Sequence, residues 1–205
     1  MLMDFTKLAT QEQIDKVIRA LNENGIEVVI AENKNDAKEK VLDMIPKGSE
    51  VMDMTSVSLL ESGITEEIEK SGKYISVKNK LYSLDRETQK KEMNILGATS
   101  DYSLGSVHAV TEGGEVVIAS NTGSQIPAYA YGSPKVIWVV GTQKIVKDMT
   151  MAMKRVYDYV LPLESDRAHK AYGVSGSNVS KILILNKEIT PKRITMILVK
   201  EKIGF

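Results

Sequence analysis

The chain has 205 residues, enough for one α/β domain or two small ones, and its 27 basic and 27 acidic side chains leave no formal net charge. That balance gives no field for nucleic acid or an anionic membrane surface. The absence of cysteine excludes disulfides, thiolate-held zinc or iron–sulfur clusters and a thiol nucleophile, and it fits a reducing compartment.

The opening MLMDFTKLATQEQIDKV acquires charge too early for a signal peptide, and no apolar run approaches the ~20 residues of a membrane span. A soluble cytoplasmic protein is expected. Thr10 is placed to cap a helix over 11–24 whose face carries Ile14, Val17, Ile18 and Leu21, with Gly25 as its stop. IEVVIA (26–31) reads as a strand, 33–45 as a helix closed by Pro46 and Gly48, and SEVMDM (49–54) as a second strand. Two short helices follow, around 57–62 and over 64–72, then an edge strand at 73–79 and a charged helix over 85–95.

Three strands are expected within SLGSVHAVT (103–111), EVVIAS (115–120) and KVIWVVG (135–141), with a helix in IPAYAYG between the last two. Residues 148–162 form an amphipathic helix on a stripe of Met151, Met153, Val156, Tyr157 and Val160. KILILN (181–186) and ITMILVK (194–200) read as a terminal antiparallel pair with Pro191 in the turn. Alternating strands and helices, with apolar strands lacking clean alternation, predict a Rossmann-like α/β fold: a mostly parallel sheet with helices on both faces. No repeat or linker divides the chain, so one domain over 1–205 is expected.

Ligands of such sheets sit at the carboxyl ends of the strands, and three loops there carry suitable residues. Thr55, Ser56 and Ser58 open a helix where hydroxyls and free N–H groups favour an anion, or simply cap it. Gly113 and Gly114 permit close backbone approach to a ligand, or a tight hairpin turn. Asn121, Thr122, Gly123 and Ser124 follow a strand and offer either ligand contacts or a helix cap. His108, within a strand and four residues before Glu112, is a candidate general base with Glu112 or Asp101 as its partner. His108 and Glu112 are therefore the candidate catalytic pair. Two separated histidines make no transition-metal site, and neither a Walker loop, a GxGxxG nor a GxSxG sequence is present. Nothing identifies a cofactor.

The segments VMDMTSVSLLESGI, SVHAVTEGGEVVIASNTGSQIPAYAYGSPKVIWVVGTQKIVKDM and VSKILILNKEITPKRITMILVKEKIGF resemble the lactate-utilisation (LUD) domain family of the LutC/YkgG type. The resemblance implies a fold of the NagB/RpiA/CoA-transferase group, whose members bind phosphorylated sugars, CoA or carboxylates at strand ends. The central block is also similar to methylthioribose-phosphate isomerases, but His108 stands in place of their catalytic aspartate and the chain has no cysteine partner for it. Longer LUD proteins carry a cysteine-rich segment or are fused to iron–sulfur modules. This chain has neither, which leaves electron transfer to a partner or to no step of this protein at all. The resemblance thus implies an accessory protein of lactate or organic-acid utilisation that binds a small anionic metabolite and works beside iron–sulfur lactate-oxidation subunits. A stand-alone phosphosugar isomerase or CoA-transferase-like enzyme, and an assembly subunit with a vestigial pocket, are the alternatives. A homo-oligomer is compatible with this fold group.

Overall fold

A computed structural model describes residues 4–205. Thr10 caps helix α1 (Gln11–Glu23) in a full capping box, its side chain accepting from Gln13 N while the Gln13 side chain returns to the cap. Ile14, Val17 and Leu21 are its buried stripe. Strand β1 (Glu27–Ala31), helix α2 (Lys34–Asp43) and strand β2 (Glu50–Asp53) follow. Two short helices, α3 (Val57–Glu61) and α4 (Ile64–Lys70), lead to the two-residue strand β3 (Ile75–Ser76). Helices α5 (Val77–Ser83) and α6 (Lys90–Thr99) precede β4 (Tyr102–Gly105).

The chain then alternates between two sheets. Strands β5 (Ala109–Thr111), β6 (Val116–Ser120), β8 (Ile145–Val146) and β9 (Lys181–Leu185) build a small mixed sheet in the order β8-β5-β6-β9. Strands β7 (Lys135–Gly141) and β10 (Ile194–Val199) enter the large sheet, which is wholly parallel in the order β1-β10-β7-β4-β2-β3. The expected α/β class, with a Rossmann-like parallel sheet covered on both faces, is the class observed.

The central strands explain the layering. Along β7, Val136, Trp138 and Val140 face one side while Ile137 and Val139 face the other. The first side packs on α1 and on Val110, Val116 and Ile118 of the small sheet. The second packs on α2, α3 and α4 through Ala37, Val41, Leu59, Ile64 and Ile68. The outer face of the small sheet, Ala109, Val117 and Ala119, is covered by Ala152 and Val156 from helix α7 (Met149–Arg155) and the turn that continues it. Each fully buried aliphatic side chain contributes about 1.5–3 kcal/mol, so the two-sided burial of β7 and β10 anchors the molecule.

Several expectations need correction. The last two strands do not pair with each other. β9 runs antiparallel to β6 in the small sheet, whereas β10 lies between β1 and β7 in the large one. The unbroken apolar run of β10 is the mark of a central parallel strand, and the short link through Pro191 changes sheets rather than closing a hairpin. Residues 103–111 likewise divide between β4 and β5 in different sheets. The segment IPAYAYG forms a π-helical turn at Ala128–Gly132. The helix expected over 148–162 continues through a π turn (Val156–Val160) into α8 (Leu161–Tyr172). The wider turn lies just before Pro162, whose ring would otherwise press on the carbonyl four residues earlier.

Candidate functional site

Strands β4 and β7 are neighbours, and both pass from their carboxyl ends into the small sheet. β4 continues through Ser106 to His108 and β5, while β7 continues through the 3-10 turn Thr142–Lys144 to β8. β5 and β8 pair in parallel with Val110 opposite Ile145. His108 and Lys144 therefore reach the same end of the small sheet, beside the carboxyl edge of the large one.

Lys144 Nζ donates to Ser106 Oγ at 3.0 Å and to Ser58 Oγ at 3.2 Å. Ser58, in α3, comes from the end of β2, and its Oγ is 3.3 Å from Ser106 Oγ. Ser106 gives its own proton to Val139 O at 2.7 Å. The lysine is only 2% exposed. Burial, then the Arg155 charge, push its amine down to about 7, with Glu61 opposing.

Arg155, at the end of α7, is fully buried. Its Nη1 donates to His108 O at 2.5 Å, and the guanidinium lies 5.2 Å above the Tyr159 ring centre. Nε and Nη2 are buried without a hydrogen-bond partner among the described residues. Burial lowers its affinity for a proton to a pKa of about 10. His108 Nδ1 accepts from Ala119 N at 3.0 Å, which leaves Nε2 as the proton-bearing nitrogen of a neutral ring. Some of the ring's surface still meets solvent, yet it sits deep among protein atoms. Burial, then Lys144 and Arg155, press its pKa down to about 3, so it is uncharged at neutral pH.

Residues after β10 cover this cluster. Gln143 Nε2 donates to Ile203 O at 2.9 Å and to Gly204 O at 3.3 Å, and Gly204 N donates to Glu61 Oε2 at 2.8 Å. Gly204 has φ +60°, and a Cβ there would strike the Ser58 hydroxyl. Only glycine allows the chain to lie so close over Ser58.

The family model for the LUD domain matches residues 14–199. The chain belongs to the LUD domain family. A crystal structure of a DUF162 family protein from Deinococcus radiodurans, a family that is the LUD domain family, superposes with a TM-score of 0.58 at 12% identity. The match covers 94% of this chain and 99% of that one. Crystal structures of eIF2B beta and eIF2B delta from Chaetomium thermophilum give TM-scores of 0.39 and 0.36 at 11% and 14% identity. They cover 68% and 70% of this chain, and 48% and 58% of their own. A comparison with curated proteins found no match.

The LUD fold brings some of the sequence-derived candidates together and separates others. Ser58 and His108 converge on Lys144. Thr55 is exposed and Ser56 caps α3 without a side-chain hydrogen bond. Glu112 and His108 flank opposite ends of the three-residue β5, up to about 13 Å apart at ~3.3 Å per residue. The Glu112 carboxylate is held by Lys16 at 2.8 Å and Gln13 at 3.2 Å, both on α1, which keep it ionised and its pKa lowered. Gly113 and Gly114 form the β5–β6 turn and dock on the end of α1. Asn24 Nδ2 donates to Gly113 O at 3.3 Å, and a Cβ on Gly114 would come within 2.7 Å of Asn24. Asp101, the other partner considered for His108, accepts from Glu50 N beside β2.

Asn121, Thr122, Gly123 and Ser124 form a turn at the end of β6. Ser120 Oγ accepts from Gly123 N at 2.8 Å, Ser180 Oγ donates to Asn121, and Lys181 Nζ donates to Thr122 O. The turn is two residues beyond Ala119, the backbone partner of His108, and is bonded to the start of β9. Lys144, Ser106 and Arg155 complete the cluster and were not among the sequence-derived site residues. The one sequence signal for Lys144 was its position directly after the most apolar strand, in VVGTQK. Among the described residues, no three His, Asp or Glu side chains gather as metal ligands.

Proposed function

We propose that this LUD-domain protein binds a small carboxylate or phosphorylated metabolite as an accessory subunit of lactate or related organic-acid utilisation, of the LutC/YkgG type. One observation carries the reading: two cationic side chains, Lys144 and Arg155, are buried at the carboxyl ends of the parallel strands, and neither is hydrogen-bonded to a carboxylate among the described residues. An uncompensated buried charge costs several kcal/mol, and an anionic guest offsets that cost. The Ser58 hydroxyl lies beside Lys144 as a neutral polar group. Family membership supports the metabolic setting, and the absence of cysteine leaves electron transfer to iron–sulfur partner subunits. The NagB/RpiA/CoA-transferase likeness fits the same strand-end position.

Thermal denaturation with millimolar lactate, pyruvate, phosphosugars, CoA and folates tests the site. Occupancy at 100 times the dissociation constant adds about 2.7 kcal/mol, or roughly 5–10 °C for a chain of this size. The response should vanish in Lys144→Met. A flat panel, or an equal shift in that variant, defeats the anion-site reading. Co-purification of iron–sulfur proteins from the native host tests the accessory role separately.

A further inference from the structure

The hydrogen bonds around Lys144 say more than that a cation is present. Its Nζ has two acceptors, Ser106 Oγ at 3.0 Å and Ser58 Oγ at 3.2 Å. Ser106 has already committed its proton to Val139 O. A neutral amine satisfies this arrangement with its two N–H bonds, and its lone pair then occupies the remaining tetrahedral position. A buried amine held among hydroxyls, without a bonded carboxylate, is set up as a nucleophile. Arg155 supplies the second observation. Nη1 is taken by His108 O, but Nε and Nη2, the side-on edge of the guanidinium, are buried without a hydrogen-bond partner among the described residues. That edge is the pair of donors that engages a carboxylate bidentately.

We propose that Lys144 captures a 2-oxo acid covalently, as an imine at Nζ, while the free edge of Arg155 takes the acid's carboxylate. This rests on the anion-site reading above and adds the chemistry of the bound group. The Nζ lone pair attacks the keto carbon, the carbonyl π bond opens to an alkoxide, and the two amine protons pass in turn to that oxygen, with Ser58 able to relay them. The C–O bond then breaks, water leaves, and a C=N bond remains. Nothing is oxidised or reduced. Entry requires the residue 201–205 segment to lift from Ser58. Its ties include the bonds from Gln143 to Ile203 and Gly204, from Ser58 to Ile203 O, from Lys34 N to Glu201 and from Gly204 to Glu61, with the Ile203 side chain packed in the core.

Borohydride reduction in the presence of pyruvate, followed by intact mass and peptide mapping of the unmodified chain, tests the step. The expected product is one carboxyethyl group on the peptide containing Lys144, saturating with pyruvate and absent with lactate. Its yield should rise through a single ionisation near pH 7, because the amine's pKa is about 7, rather than near the ordinary lysine value. Lys144→Met should abolish the adduct, and Arg155→Met should require about tenfold more pyruvate through loss of charge-assisted bonds. Adducts spread over surface lysines, with none concentrated at Lys144, overturn the proposal. Stabilisation by both pyruvate and lactate without an adduct leaves an anion site but no imine. No stabilisation and no adduct removes both readings.

Discussion

Two charge clusters lie at the ends of β2 and β7, on either side of β4, and among the described residues only one pairs a cation with carboxylates. At the end of β2, Asp53 is fully buried but faces Lys78, whose Nζ is 3.1 Å from Asp53 Oδ2 and 2.8 Å from Glu69 Oε1. One cation and two carboxylates thus tie β2 to α4 and α5. At the end of β7, Lys144 and Arg155 meet hydroxyls, a carbonyl and an aromatic face, with no carboxylate bonded to either among the described residues. Ionic groups that answer one another hold elements in place. Ionic groups left unanswered in the interior are a standing cost that the fold retains for another reason.

Substitution of the two lysines gives the sharpest break between the clusters. Above pH 7, where Asp53 is ionised, Lys78→Met should destabilise the chain by about 3–5 kcal/mol, because it strands Asp53 as a buried carboxylate. Lys144→Met keeps a similar volume and, below pH 7 where the amine is charged, removes a charge with no bonded carboxylate, so there it should raise stability, by roughly 1–4 kcal/mol. Urea denaturation of both variants measures the difference. Loss of stability in Lys144→Met would mean that the lysine has a counter-charge after all.

The pH dependence should run in opposite directions at the two sites. Asp53 has its pKa raised from 3.8 to about 7, burial being the main cause. The folded chain holds that proton more tightly, so the stability it contributes is lost as pH rises from about 4 to 7. Lys144 is lowered from 10.5 to about 7. Between those values the unfolded chain binds the proton and the folded chain does not, so stability rises from pH 7 toward 10.5. Melting curves of wild type and Lys144→Met isolate the second effect: the gap between them should narrow above pH 7. A constant gap from pH 7 to 9.5 would show that the amine titrates as an ordinary lysine.

The fold was more legible in the sequence than the site. Periodicity and capping placed α1, β1, β2 and β7 to within a residue or two, because Thr10, Gly25 and the apolar run of β7 act locally. The two-sheet arrangement was not legible: β4 and β5, or β9 and β10, are adjacent in the chain but belong to different layers, and only tertiary pairing separates them. Site residues followed the same division. Ser58 and His108 lie near strand ends and were recognisable as candidates. Lys144 and Arg155, in GTQKIVKDM and MKRVYDY, carry no local mark of a site, since burial of a cation is a property of what packs over it. Glu112 stood close to His108 in number, but an extended strand turns four residues of sequence into up to about 13 Å of space.

That distance sets the smallest predicted effect. Glu112→Gln removes a single ion pair to Lys16, a lysine whose side chain is 56% exposed. Such pairs contribute about 0–1 kcal/mol and less at high salt. The variant should melt within a few degrees of wild type and keep its full response to pyruvate and lactate, whereas Lys144→Met should lose that response. If Glu112→Gln instead abolishes ligand stabilisation with the fold intact, the functional centre extends to the α1 end of the small sheet, and the pairing of His108 with Glu112 regains its place over the Lys144 cluster.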